Sequence, residues 1–262
     1  MIEAVAIVEN SDIKRAVREA VRKIGLPRVK NKRVLIKPNC NSPDKFPATT
    51  NPEVVVQIIK LLKEAKAKEI IVGDKSSIEH WLLGTKRIMS LIGLWEAVQR
   101  EKVKIFSFDD EGWIRVKPKG ASHWRWGFKI PKILKEVDVI ISAPVIHTHR
   151  LTGISLSLKN SVGVLSAWDR RTMHFTRHLQ EKIAEINLAY EVDLVVMDGT
   201  KAFISGGPHQ GEMVEPKTIV VSKSRVQADI AAYKLLVDWG ADLPLPPESH
   251  PQIAQAMKIG VK

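Results

Sequence analysis

Apolar positions along the chain fall into two alternating patterns. Short, nearly continuous runs rich in Val and Ile occur at Val34-Leu35-Ile36, Ile70-Ile71-Val72, Val137 to Ile141 and Leu194 to Met197. Unbroken apolarity over strand length predicts strands buried on both faces, as in a parallel sheet covered by helices. Val5 to Val8, Val103 to Phe106 and Thr218 to Val221 are further strands on the same reading. Between them, helical spacing predicts helices at about 11–24, 53–66, 85–100, 174–190 and 226–237, with a terminal helix near 251–259. Alternation of this kind specifies right-handed βαβ units, hence an α/β fold with a mostly parallel sheet flanked by helices.

Local signals sharpen two of the helices. Asn51 is placed to cap the helix at 52–66, Pro52 fits its first turn, and Glu53 suits the positive end of the macrodipole. Phe175, Leu179, Ile183, Ile186 and Tyr190 form an apolar stripe at helical steps, so the 174–190 segment is expected to pack one face on the sheet. Two segments break the rhythm. Residues 107–132 hold Trp113, Trp124, Trp126 and Phe128 among lysines and are read as a protruding insertion; 199–216 is a long glycine-rich connection. No compositional break divides the chain, so one α/β domain is expected over 1–262.

Composition narrows the classes. With 44% hydrophobic and 27% charged residues the chain is neither disordered nor fibrous. No run reaches the roughly 18 apolar residues of a membrane helix, and Glu3 and Glu9 stand where a secretory signal would be basic and then apolar, so a cytoplasmic protein is expected. One cysteine, Cys40, precludes an internal disulfide, a zinc ribbon or an iron-sulfur cluster built by this chain alone. The formal charge of +12 favours anionic partners. Scarce Asn and Gln beside abundant Lys, Arg, Glu, Ile and Val fit a thermophilic source, in which case much of that charge is surface ion pairing.

Open α/β sheets bind ligands beyond the carboxyl ends of their strands, so the residues after each strand are the first candidates. They are Lys37-Pro38-Asn39, Gly73-Asp74-Lys75, Pro144 leading to His147-Thr148-His149, and Asp198-Gly199. His147 and His149 project from one face of an extended segment and could share a metal or a phosphate. His174 and His178, in line with Glu181 and Glu185, are a second candidate for a divalent metal, with a buried polar network as the alternative. The run from Thr152 to Gly163 alternates small hydroxyl and apolar residues like a strand and would present Lys159 and Asn160 at its end. With Lys37, Lys75, Arg150, Arg170 and Arg171 it forms a basic set suited to an anion. Ser205-Gly206-Gly207-Pro208 follows the acidic strand end and could form an anion-binding backbone nest around Gly207. It is neither a Walker loop nor a Rossmann fingerprint, and there is no Gly-x-Ser-x-Gly elbow.

Taken in order, Lys37-Pro38-Asn39, Thr50-Asn51-Pro52-Glu53, Val72-Gly73-Asp74, Pro144 to His149, Leu158-Lys159-Asn160 with Gly163, Arg171 with His174, Asp198-Gly199, Gly206-Gly207-Pro208 and Asp229 resemble the family catalogued as domain of unknown function 362. The resemblance spans about residues 5–235. It implies no particular reaction, since the family has no agreed activity, though some members carry ferredoxin-type iron-sulfur modules. Where the family usually shows Pro-Lys-x-Lys-Thr-His, this chain has Pro144-Val145-Ile146-His147-Thr148-His149, so both lysines are replaced and His149 is kept. The ferredoxin cysteines are absent, which would leave any cluster to a partner.

Three functions follow as expectations. The leading one is an anionic-metabolite binder or enzyme, with or without a divalent metal. Lys37, Lys159 and Arg171 would clamp the anion, while Asn39, Asp74, Asn160 and Gly207 complete the binding site. His149, His174 and Asp198 would act as acid/base groups or metal ligands. The second is single-stranded nucleic-acid binding through residues 117–129, where Trp124 and Trp126 interleave with Lys and Arg; the same segment is otherwise a lid or a homodimer contact. The third is an accessory protein to an iron-sulfur partner.

Overall fold

The computed structural model describes residues 4–110, 112–175 and 177–262. In chain order its strands and helices are β1 (Val5–Glu9), α1 (Ile13–Ile24), β2 (Arg33–Pro38), α2 (Pro52–Glu64), β3 (Glu69–Asp74), α3 (Thr85–Leu91), α4 (Leu94–Arg100) and β4 (Lys104–Ser107). Then come β5 (Trp113–Val116), β6 (Phe128–Pro131), α5 (Ile133–Glu136), β7 (Val139–Ala143), β8 (His147–His149), β9 (Gly153–Ser155), α6 (Ser157–Asn160), α7 (Ala167–His174) and α8 (Leu179–Ile186). The chain closes with β10 (Leu194–Gly199), β11 (Ala202–Phe203), β12 (Met213–Val214), β13 (Thr218–Ser222), α9 (Arg225–Asp238) and α10 (Pro251–Lys258).

Among the described residues the main sheet has seven strands in the order β1-β13-β10-β7-β2-β3-β4. From β10 to β4 every pairing is parallel, and β13 alone runs against its two neighbours. The fold is therefore α/β with a mostly parallel sheet, as the continuous apolar runs predict. Successive residues of one strand serve different cores: Val34 and Ile36 pack with α1, α2 and α4, while Leu35 between them packs on the opposite face with Phe108, Phe128 and Ile183. Burial on both faces is why these strands carry no polar alternation.

Among the described helices α1, α2, α7 and α9 start on a side-chain cap. Asn51 Oδ1 accepts from the Glu53 amide at 3.0 Å, as its position predicts. Two helices depart from the spacing. The 85–100 segment is two helices broken at Gly93, which takes φ of 78°. The 174–190 stripe is also interrupted: α7 ends at His174, Phe175 is 81% exposed, and α8 begins only at Leu179. The stripe extends past the real helix because Phe175 and Tyr190 match its period without belonging to it.

Within the 107–132 segment, β5 and β6 form an antiparallel hairpin whose apolar side is packed on the sheet. Trp124 and Phe128 are buried against the layer containing Leu35, Ile71 and Ile140, so this part of the segment does not stand clear of the domain. Trp124 Nε1 donates to the Lys182 carbonyl at 3.1 Å, whereas Trp126 is 74% exposed with the Arg125 guanidinium over its ring. A stacking surface built on both tryptophans is thus reduced to Trp126. Trp126→Ala is expected to change stability by less than about 0.5 kcal/mol, and Trp124→Phe to cost about 1 kcal/mol through its lost hydrogen bond; urea denaturation of both variants checks the contrast. No described helix is long and apolar enough to cross a membrane.

Candidate functional site

All the parallel strands end on one edge, and their last residues converge there. Lys37 and Asp74, from the ends of β2 and β3, form an ion pair of 2.7 Å with side chains 1% and 2% exposed. Asp74 also accepts the Cys40 amide at 2.7 Å, and Lys37 reaches Asn160 Oδ1 at 3.2 Å. Asn160 in turn donates to Ser142 Oγ at 2.9 Å, tying α6 to the end of β7. Gly163 lies against this pair: a Cβ there would stand 2.4 Å from Asp74 Oδ1 and 2.8 Å from Lys37 Nζ. Only glycine permits such an approach.

Two adjoining cavities open from this edge. The inner one, about 40 Å³, is lined by Lys37, Asn39, Asp74, His147 and Asn160 among others. The outer one, about 830 Å³, is bordered by His149, Arg171, His174 and the 206–211 loop. Asn41, Lys159, Val162, Arg170 and Pro208 border both, so Lys159 and Arg170 stand at the throat between them. Most sequence-predicted site residues therefore gather in one cleft. Asp198 is the exception, lining neither cavity. Its Oδ1 accepts from the Thr200 amide and hydroxyl, each at 2.8 Å, and burial pushes its carboxyl up to about 6. It fixes the turn after β10 instead of facing the cleft.

Lys159 does not lie at a strand end as the alternating pattern suggests. The chain turns into α6 after β9, and the Asp229 carboxylate of α9 accepts from the Ser157 and Leu158 amides at 2.8 and 3.0 Å. An acidic group on the first amides of a short helix satisfies donors that have no intrahelical partner. Burial raises the Asp229 carboxyl to about 7 despite these bonds. Thus α9 fixes the element that carries Lys159. Among the described residues Lys159 Nζ has no hydrogen bond or ion pair, and withdrawal from water, with Arg170 nearby, pushes its amine down to about 7.

Arg170 is the residue sequence reasoning undervalued. It is 5% exposed, donating to the Ser76 carbonyl at 2.9 Å and to Asn41 Oδ1, and its Nε has no partner among the described residues. Arg171, favoured from the sequence, is exposed at the outer rim. The signal available was Met173, buried three residues on, which marks the inward face of α7.

The two strand histidines present opposite chemistry. His147 Nδ1 donates to the Thr148 carbonyl at 2.7 Å, leaving Nε2 as a buried acceptor without a partner. His149 Nδ1 accepts from the Leu151 and Thr152 amides at 3.1 and 3.3 Å, so its proton sits on Nε2. Burial, reinforced for both by the charge of Lys159, holds their pKa values down to about 4 and about 2. Both rings are neutral near pH 7, one offering a lone pair and the other an N–H. The 205–211 loop closes over β8, and Gly207 is forced there: its φ is 55° and a Cβ would come within 2.0 Å of the Thr148 carbonyl oxygen.

The helical metal stripe is not assembled. His174 closes α7, His178 precedes α8, and Glu185 is buried with His123 at 2.6 Å. Among the described residues no three His, Cys, Asp or Glu side chains group as metal ligands would. Cys40 is buried beside Asp74, and burial holds its thiol well above the usual range.

The class of protein this architecture and sequence define is settled by comparison. The family model described as a domain of unknown function (DUF362) matches residues 34–234, and the chain belongs to that family. Comparison with curated proteins gives no match. Among solved structures the chain is similar to the lactate racemase apoprotein from Thermoanaerobacterium thermosaccharolyticum, with a TM-score of 0.54 at 13% identity. The alignment covers 89% of this chain and 56% of that one, so this chain spans little more than half of its neighbour's length. At that identity the likeness is one of fold.

Proposed function

We propose that the chain binds a small anionic metabolite at the throat of the cleft and moves a proton on it, Lys159 and Arg170 holding the anion and His147 and His149 serving the transfer. The observation that carries this reading is Lys159: a half-buried cation that borders both cavities and has no counterion among the described residues, on a helix held in place from two sides. Such a charge is unfavourable until an anion joins it. Lys37, the other lysine in the cleft, already has Asp74 and so belongs to the scaffold instead of the clamp. His147 Nε2 can accept a proton from a bound hydroxyl or carbon acid, and His149 Nε2–H can donate to an oxygen that gains charge. The structural neighbour's name, lactate racemase, denotes action on a small hydroxycarboxylate, a ligand of the charge this cleft favours.

Titration calorimetry with inorganic phosphate and with L-lactate, on wild type and Lys159→Met, tests the reading. Saturable binding of at least one anion is expected, weakened at least tenfold in the variant. Absence of binding by both anions, or equal binding by both proteins, overturns it.

A further inference from the structure

The two cavities differ about twentyfold in volume, and that mismatch bears on what the throat holds. A three-carbon acid placed at Lys159 and Arg170 would leave most of the outer cavity's 830 Å³ unfilled. That volume is within the usual range for sites that enclose ligands of several hundred daltons. Its wall includes the buried side chains of Val162, Met173 and Ile183, and its mouth carries Leu151 and Phe175, 59% and 81% exposed. Apolar side chains around a cavity whose inner end is cationic are complementary to a molecule with one charged end.

Resting on the anion-binding reading above, we infer that the ligand is an amphipathic carboxylate, with its head between Lys159 and Arg170 and an apolar body of several carbons along the outer cavity. The head is taken as a carboxylate, in keeping with the hydroxycarboxylate reading above, and inorganic phosphate is the competing head. Arg170 spends one N–H of each terminal nitrogen on Ser76 and Asn41, which holds its guanidinium in place beside Lys159 at the throat. Lys37, already paired with Asp74, adds no further free cation there. Arg150 and Arg171 lie on the outer cavity's lining, so the competing arrangement is a ligand with a second anionic end there.

The test is titration calorimetry of the intact chain with butanoate, hexanoate, octanoate and octanedioate at one ionic strength, with inorganic phosphate as the small-anion reference. Affinity is expected to rise about threefold to fourfold per methylene from butanoate to octanoate. Leu151→Ser and Phe175→Ser, both at exposed positions that the fold does not need, should each lower octanoate affinity several-fold and leave butanoate unchanged. Lys159→Met should weaken every carboxylate. Equal affinity along the series overturns the apolar body while the anion reading stands. Tighter binding of octanedioate than of octanoate also overturns it, in favour of a second anionic end. Octanoate binding that survives Lys159→Met overturns the placement of the head. If neither phosphate nor L-lactate binds, the underlying reading fails and this inference goes with it.

Discussion

Asp74→Ala is expected to lower the stability of the fold by about 3–5 kcal/mol, the cost of leaving a buried cation without its partner. Both members of the Lys37–Asp74 pair are essentially inaccessible, and Asp74 also satisfies the Cys40 amide, so the substitution leaves the Lys37 charge without its counterion and the Cys40 amide without its acceptor. A paired replacement tells this apart from simple loss of packing. Lys37→Met with Asp74→Leu removes both charges and fills similar volume, and should cost far less than the single change, because an apolar pair can replace a buried ion pair at little or no loss. Urea denaturation of the wild type and the two variants measures it. A single-variant loss below about 1 kcal/mol would mean that water reaches Lys37 and that the pair is no anchor of the strand ends.

The second large effect concerns Lys159→Met, where function and stability should move in opposite directions. Loss of a charge-assisted hydrogen bond to the bound anion is worth roughly 1.5–3 kcal/mol, or about 10- to 150-fold in affinity. Without ligand, the variant should be more stable than wild type, with a definite pH dependence. The Lys159 amine is held down to about 7 in the folded chain, from 10.5 in its ordinary surroundings. Between those values the unfolded chain binds more protons than the folded one, so wild-type stability gains from this group as pH rises. The variant lacks that gain. Its advantage should therefore be greatest at pH 7 and below and disappear above about pH 10.5. Because an anion favours the charged amine, ligand affinity of the wild type should decline as pH rises past 7. Melting curves at pH 6.5, 8.5 and 10.5 decide the point, and a variant less stable than wild type at pH 6.5 would make Lys159 a structural residue.

Much of the frame was legible because it rests on short-range physics. Val34 to Ile36 or Leu194 to Met197 can be buried on two faces only in a covered sheet, and the Asn51-Pro52-Glu53 start is read from caps alone. Placing candidates at strand ends brought Lys37, Asn39, Asp74 and both strand histidines to one edge. What failed depends on partners distant in sequence. Asp198 sits at a strand end like the others, yet its side chain turns to Thr200. The strand-like alternation at 152–160 gives way to α6 because Asp229, some 70 residues on, accepts its first amides. Arg170 and Arg171 are adjacent and chemically equal, so which of them is buried is decided by how α7 lies against the loops holding Asn41 and Ser76.

The Asp229 contact bears on where the working unit ends. Every side chain bordering the two cavities lies at or before Gly211, so a fragment cut there would hold the full complement of cleft chemistry. It would nonetheless lack the carboxylate that pins α6, together with β13, which seals the flank of β10. The minimal unit for engineering or grafting therefore runs through α9, and the matched family segment, which closes at residue 234, includes Asp229. Sequence divergence in that helix would be felt first as a change in the position of one lysine ammonium, although the helix itself borders neither cavity.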